Sequence, residues 1–438
     1  MAVKLFRRKY LFMTVAAVLI AGLLASPHLL SWLSGPKPNR VVAWGANSHG
    51  QLATGVSDSD LRRPEVSLAE VPGVKQLAAG SNHGLALDDQ GRVWAWGDNH
   101  YGQSGQDFIR DRIPTPEIVK GPPKVVRIAA NQDHSLALSE DGRVWSWGLN
   151  MSGQLGTGDN DTSWWPQPVD GISGVQDIAA GYRTSLALKT DGSLWGWGGD
   201  CGLADRRDET FRRTIQQIVA TGSYSDTDTL HEGEYEARIF VKPEEDCINE
   251  DVVGIKSVRP KLIEGLPKLS TISAGFGHML AIDGEGHVWA WGCNTHGQVG
   301  NGTVGRGTGA NLRPARVAGM DNVVAASAGY RHSLIMKRDG SLWSWGFNAS
   351  GALGTGEQAD HNPVPARIQG INNVRQISAG HDYSLAVTRD GRLWAWGSGE
   401  AGQFDGSDLK RRHPATAWGL EKVDVPVAGG GFALALVR

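Results

Sequence analysis

The sequence predicts an all-β fold: a seven-bladed β-propeller with four-stranded blades. Strands from the N- and C-terminal ends close the ring, and one N-terminal hydrophobic helix precedes it. Three observations lead there. A Trp-Gly pair recurs in register at Trp44-Gly45, Trp96-Gly97, Trp147-Gly148, Trp197-Gly198, Trp291-Gly292, Trp345-Gly346 and Trp396-Gly397. The steps between these tryptophans are 52, 51, 50, 94, 54 and 51 residues, and a fixed period near fifty marks stacked repeat units. The third observation is compositional: 59 Gly and 17 Trp in 438 residues suit tight turns and short strands rather than long helices.

Taken in chain order, the first element is a basic tail, residues 1–9, with Lys4, Arg7, Arg8 and Lys9. A strongly apolar run, Leu11 to Leu24, follows and continues more mildly to Leu33, so residues 10–33 read as one hydrophobic helix. Its length is close to the ~20 residues that span a bilayer. The basic flank predicts a cytoplasmic tail and a ring outside the cytoplasm, periplasmic or extracellular. Two fates compete. A signal peptide cut after Ala25 would place Leu23 at minus three, where a small residue is wanted. An uncleaved signal-anchor is therefore favoured; cleavage would give a secreted ring. A buried core helix would need no basic flank and finds no partner helix in the sequence. Residues 34–40 read as a linker.

From residue 41 to 438 each repeat reads as four short strands. In the third repeat these are Pro114 to Val119, punctuated by proline as an outer strand tolerates, then Val125 to Ala129, His134 to Leu138 and Val144 to Trp147. Asp141-Gly142 supplies a tight hairpin turn between the last two. Along the last strand Trp145 and Trp147 share one face, and Ser146 lies on the other with Val144. Equivalent positions between paired tryptophans are always small: Ala95, Gly196, Ala290, Ser344 and Ala395. Large residues facing small ones let neighbouring sheets stack closely, so the tryptophans are expected to pack rather than bind. A further pair, Trp418-Gly419, falls out of register.

A second signature precedes each tryptophan strand: Gly, two variable residues, then often His. It reads Gly80-Ser81-Asn82-His83, Asn131-Gln132-Asp133-His134, Gly181-Tyr182-Arg183-Thr184, Gly275-Phe276-Gly277-His278, Gly329-Tyr330-Arg331-His332, Gly380-His381-Asp382-Tyr383 and Gly429-Gly430-Gly431-Phe432. The last copy runs into the C-terminus with no Trp-Gly after it, and Trp44 has no such copy before it. The two chain ends are therefore expected to share a blade, which removes two open sheet edges.

Val144-Trp145-Ser146-Trp147-Gly148-Leu149-Asn150, the following Gly153-Gln154-Leu155-Gly156-Thr157-Gly158, and Gly329-Tyr330-Arg331-His332-Ser333-Leu334 resemble the regulator of chromosome condensation repeat family. The resemblance covers Val41 to the C-terminus. It implies a seven-bladed propeller, as the strand count does independently. The family's namesake is a nucleotide-exchange factor for a small GTPase, and a relative in the same propeller class is a secreted β-lactamase inhibitor. Both activities are expectations from resemblance.

The one long step marks an acidic insertion at about 203–256, with 13 acidic and 7 basic residues. Within it Glu234 to Val241 alternates as a strand, and Ile215 to Ala220 is a candidate hairpin partner. Cys201 and Cys247 bracket most of it and are candidates for a disulfide; three unlinked thiols, with Cys293, are the alternative. Whether the insertion binds a partner or is a tolerated loop stays open.

No catalytic constellation emerges, and neither a cofactor nor a metal is expected. His83, His134, His278 and His332 recur in one slot, which points to structural imidazoles, each bonded within its own blade. Asp159-Asn160-Asp161 and Asp226-Thr227-Asp228 lack the glycine and terminal glutamate of a calcium loop. Gly305-Arg306-Gly307-Thr308-Gly309 lacks the lysine of a phosphate loop, and no Gly-x-Ser-x-Gly elbow occurs. With a net charge of −3 and no basic stripe beyond the tail, nucleic acid is not an expected partner. The expected function is a non-enzymatic scaffold for protein–protein interaction. Exposed aromatics outside the repeat slots, with polar neighbours, are the candidate contacts: Tyr101, Trp164, Trp165, Tyr182, Arg183, Phe276, Tyr330, Arg331 and Asp382. Trp164-Trp165 stands out because charged residues hold that place before proline elsewhere, as in Arg62-Arg63-Pro64 and Arg411-Arg412-His413-Pro414.

Overall fold

A computed structural model describes residues 40–67, 71–199, 257–305, 311, 313–405 and 409–438. The basic tail, the expected hydrophobic helix and the insertion, with its candidate hairpin and Cys201–Cys247 pair, lie outside the described residues. Among the described residues there is no helix, and so none long and apolar enough to cross a membrane.

The described chain forms seven antiparallel sheets of four strands each. The second blade runs from inside to outside through Gln76–Ala79, His83–Leu87, Val93–Asp98 and Arg112–Ile118. Blades three to seven repeat this over residues 125–168, 175–262, 269–316, 323–367 and 374–416. The first blade is shared, as expected. Val423–Ala428 and Phe432–Val437 supply its inner strands, and Arg40–Asn47 and Asp58–Ser67 its outer ones. Arg40, the last residue assigned to the linker, already pairs with Val437. A blade is also offset from the sequence repeat by one strand. The proline-bearing segment Arg112–Ile118 pairs with Val93–Asp98 before it, not with the strands that follow.

The core lies between blades. One cluster joins Leu85, Leu87, Val93 and Ala95 of the second blade to Val125, Ile128, Ala137 and Trp147 of the third. The second tryptophan of each repeat is fully buried in such a seam, whereas Trp94, Trp145 and their equivalents are half-buried. Six of the seven buried indoles also donate a hydrogen bond to the preceding blade, whereas Trp291 Nε1 has no partner among the described residues. Trp96 reaches the Gln51 carbonyl (2.8 Å), Trp147 that of Gln103 (2.9 Å), Trp197 that of Gln154 (2.9 Å), Trp345 that of Gln298 (2.8 Å) and Trp396 that of Ala352 (2.9 Å). Trp44 reaches the Gln403 carbonyl (2.7 Å) and so latches the first blade to the seventh.

The recurring histidines belong to the same latch, and here the sequence reading is corrected: they bond the next blade, not their own. Nε2 of His83, His134, His278 and His332 lies 2.9–3.0 Å from Oγ of Ser135, Ser185, Ser333 and Ser384. Each serine hydroxyl donates its one proton to a latch carbonyl, as Ser135 does to Gln103 (2.8 Å). The serine must then accept from the imidazole, so Nε2 carries the proton and Nδ1 is bare.

Two glycine slots make these seams possible. Gly97 sits at φ +95°, and a Cβ there would lie 2.4 Å from the Asn82 carbonyl oxygen. A Cβ on Gly329 would lie 2.7 Å from the Gly380 carbonyl oxygen of the next blade. Trp147→Phe tests the latch. It removes the indole donor and part of a buried ring, and should lower stability by about 2 kcal/mol, read as the shift in urea midpoint. An unchanged midpoint would mean the latch contributes nothing.

Candidate interaction face at the channel mouth

The loops between the first and second strands of the blades meet around the ring axis. Backbone bonds tie them into a belt: Gly430 N–H donates to the Gly80 carbonyl (3.2 Å), Ser81 to Gln132 (3.1 Å), Tyr182 to Gly275 (3.1 Å), Phe276 to Gly329 (3.3 Å) and Tyr330 to Gly380 (3.0 Å). The residue after each glycine therefore faces its equivalents around the channel.

In blades four to seven that residue is aromatic. The Tyr182 and Phe276 rings stand 4.1 Å apart, Phe276 and Tyr330 4.0 Å, and Tyr330 and His381 4.5 Å, all tilted. Gln132 Nε2 reaches His381 Nε2 across the mouth at 3.4 Å, and Ser81 Oγ bonds Gln132. The row fills the mouth and leaves a cleft of about 40 Å³ beside it, lined by Gly80, Asn131, Phe276, Tyr330 and Gly429 among others. That is room for a water or two rather than an organic ligand.

The next residue along each loop adds charge. The Arg183 guanidinium lies 5.0 Å from the Tyr182 ring; that of Arg331 lies 5.0 Å from Tyr330 and 5.5 Å from Phe347. Burial pushes the Asp382 carboxyl up, against the pull of Arg331. Asp133 is pushed up to about 7 by burial and by Asp98, with Arg183 opposing. Burial, aided by Arg331, lowers His381 to about 4.

The structure brings six of the nine candidate contacts together here: Tyr182, Arg183, Phe276, Tyr330, Arg331 and Asp382. They are half-buried rather than exposed, and the three aromatics occupy a repeat slot rather than lying outside one. The other three lie on the rim. The Tyr101 amide donates to Gln103 Oε1 (2.8 Å), and its ring meets His100 edge-on at 4.8 Å. Trp164 packs over Gly102 of the preceding blade, whereas Trp165 is 48% exposed. Sequence reasoning missed His381, Gln132 and Asp133. The signal was available, since each fills the same slots as the residues chosen.

The strand ends that flank the insertion in sequence are described. The third strand of blade four ends at Gly198 and the fourth begins at Ser257; the Gly199 amide donates to the Arg183 carbonyl (2.8 Å). Cys293, buried in the next blade, is disulfide-bonded. Non-reducing peptide mapping should recover a cross-link to the Cys293 peptide; a free Cys293 thiol would refute this.

Comparison with known proteins bears on the ring as a whole. A model of the RCC1-like domain matches residues 35–302, and models of the regulator of chromosome condensation (RCC1) repeat match 285–336, 339–387, 323–352 and 374–403. The chain belongs to the regulator of chromosome condensation repeat family. Among family members it is similar to the ultraviolet-B receptor UVR8 of Arabidopsis thaliana, 29% identical over 92% of this chain and 82% of that protein. It is 27% identical to the human regulator of chromosome condensation over 90% and 89% of the two chains. The solved structure of Prp20p from Saccharomyces cerevisiae, described with its binding to Gsp1p and histones, shares the fold. It matches with a TM-score of 0.72 at 24% identity, covering 92% of each chain.

Proposed function

We propose that this chain is a non-enzymatic propeller scaffold that binds a partner protein through the channel-mouth face. The observation that carries this is the Tyr182–Phe276–Tyr330–His381 row with Arg183 and Arg331 stacked on its tyrosines. Tyrosine and arginine held in place by their neighbours are the side chains that anchor protein interfaces, because little entropy is lost on binding. The test is cross-linked affinity capture with the wild-type chain and with Arg183→Ala/Arg331→Ala. Partners held through this face should be lost from the variant; an identical set on both chains would refute the reading.

Guanine-nucleotide exchange on a small GTPase is the second reading. It is supported by family membership and by the near full-length likeness to the human regulator. Its test is accelerated release of labelled GDP from small GTPases of the source organism.

We further place the ring outside the cytoplasm on a membrane anchor. The support is the basic flank Lys4–Lys9 before an apolar run of bilayer-spanning length. A C-terminal reporter with protease protection in intact cells tests it. A cytoplasmic ring would overturn the tether and favour the exchange reading.

A further inference from the structure

Folding leaves an apolar patch uncovered on the rim between the second and third blades. Phe108 is 57% and Ile109 77% exposed, on the loop after Val93–Asp98. Trp165, 48% exposed, stands on the outer strand Ser163–Pro168 of the third blade. Trp164 joins the two sides: it packs over Gly102 of that loop and meets Phe108 edge-on at 6.5 Å. The loop is braced from below. The Asn99 side-chain amide donates to the carbonyls of Asp107 (3.0 Å) and Arg110 (2.9 Å), and Arg110 bridges Asp107 (3.2 Å) and Glu117 (2.7 Å). Phe108 and Ile109 are thus held outward, although covering them would be favourable by about 25 cal/mol per Å².

The border of the patch is acidic. Residues 107–117 and 157–165 carry five carboxylates, Asp107, Asp111, Glu117, Asp159 and Asp161, against Arg110 and Arg112. Arg110 is already engaged by two of those carboxylates, while Asp111 and Asp161 stand exposed. Like charge on this border works against nucleic acid, an anionic membrane surface or a second copy of the same patch.

We propose that this patch docks a segment of a partner protein in which bulky aliphatic or aromatic residues are flanked by lysine or arginine. The apolar side chains cover Phe108, Ile109 and Trp165, and the basic flanks meet Asp111 and Asp161. This surface is separate from the channel-mouth cluster and stands whether or not that cluster binds anything.

The test is selection from a random dodecapeptide phage library on the immobilised full-length chain, discarding phage that also bind Phe108→Ser/Trp165→Ser. Enriched peptides should carry a bulky apolar pair with basic flanks. Their Kd should rise about tenfold or more in that double variant and in Asp111→Lys/Asp161→Lys, and should rise with salt. It should not change in Arg183→Ala. The substituted side chains are exposed, so unchanged melting temperatures check the fold, and the charge-reversal pair provides an independent second variant. Enrichment of uncharged or acidic peptides, affinity that survives both variants, or no enrichment at all overturns the proposal.

Discussion

Removing the last seven residues, Phe432 to Arg438, should unfold the whole ring rather than fray one strand. Among the described strands Phe432–Val437 lies between Val423–Ala428 and Arg40–Asn47 and pairs with both, so its loss opens two sheet edges at once. Phe432, Leu434 and Leu436 are buried against the second blade, and Ala433 and Ala435 against the seventh. At roughly 1.5–3 kcal/mol for each large side chain, their burial rivals the net ~5–15 kcal/mol that keeps a typical domain folded. The Tyr383 hydroxyl also loses its bond to the Phe432 carbonyl (2.6 Å). The expected result is loss of near-ultraviolet dichroism and elution as aggregate. A permuted chain that joins Arg438 to Arg40 by a short loop and opens at the exposed turn between Lys120 and Gly121 should stay folded, because every strand keeps its neighbours. A truncated chain that remains monomeric with an unchanged melting temperature would show that closure is dispensable.

That closure was legible in the sequence because it follows from counting: one signature without a Trp-Gly after it and one Trp-Gly without a signature before it. Other features were not legible, for geometric reasons. Periodicity places His83 and Ser135 in equivalent repeats but does not say that one reaches the other across a seam. It groups Pro114 with the strands that follow, although the backbone ladder runs to Val93–Asp98 before it. Tyr182, Phe276 and Tyr330 were legible as candidates one at a time. Their stacking depends on the ring bringing one slot from successive blades together at the axis, and His381 enters the row for the same reason. Trp164-Trp165 divides as neighbours on a strand must, one side chain inward onto the adjoining blade and one outward.

Lowering the pH from 7.5 to 5 should remove much of the ring's stability, through the latch histidines. His83, His134, His278 and His332 have no solvent exposure. Burial lowers the first three to about 3 and His332 to about 4; His134 adds to the shift at His83, and His332 to that at His278. A proton can enter only at Nδ1, which is unbonded in the neutral rings; at His83 the Gln132 carbonyl partly offsets the cost of that proton without cancelling the effect of burial. The folded pKa lies below the ordinary 6.5, so the unfolded chain binds more protons, and stability falls as pH drops from 6.5 towards 4. Each imidazole then costs about 1.4 kcal/mol per pH unit, or about 2 kcal/mol by pH 5. Asp133, raised to about 7, acts with the opposite sign, as do the raised Asp382 and Asp177, while His381, lowered to about 4, adds to the four latch imidazoles. At Asp88 and Asp283 burial raises the pKa, but hydrogen bonds led by those from Trp94 and Trp289 outweigh it. Those carboxylates stay ionised across this window and lose their contribution only below about pH 4. Urea midpoints measured from pH 7.5 to 5 should therefore fall steeply. His332→Gln, which keeps an N–H donor near Ser384 but cannot titrate, should flatten that fall by the share of one imidazole, about 1.4 kcal/mol per pH unit. A midpoint that is flat over this range, or a slope that His332→Gln leaves unchanged, would mean that groups other than the latch imidazoles take up the protons.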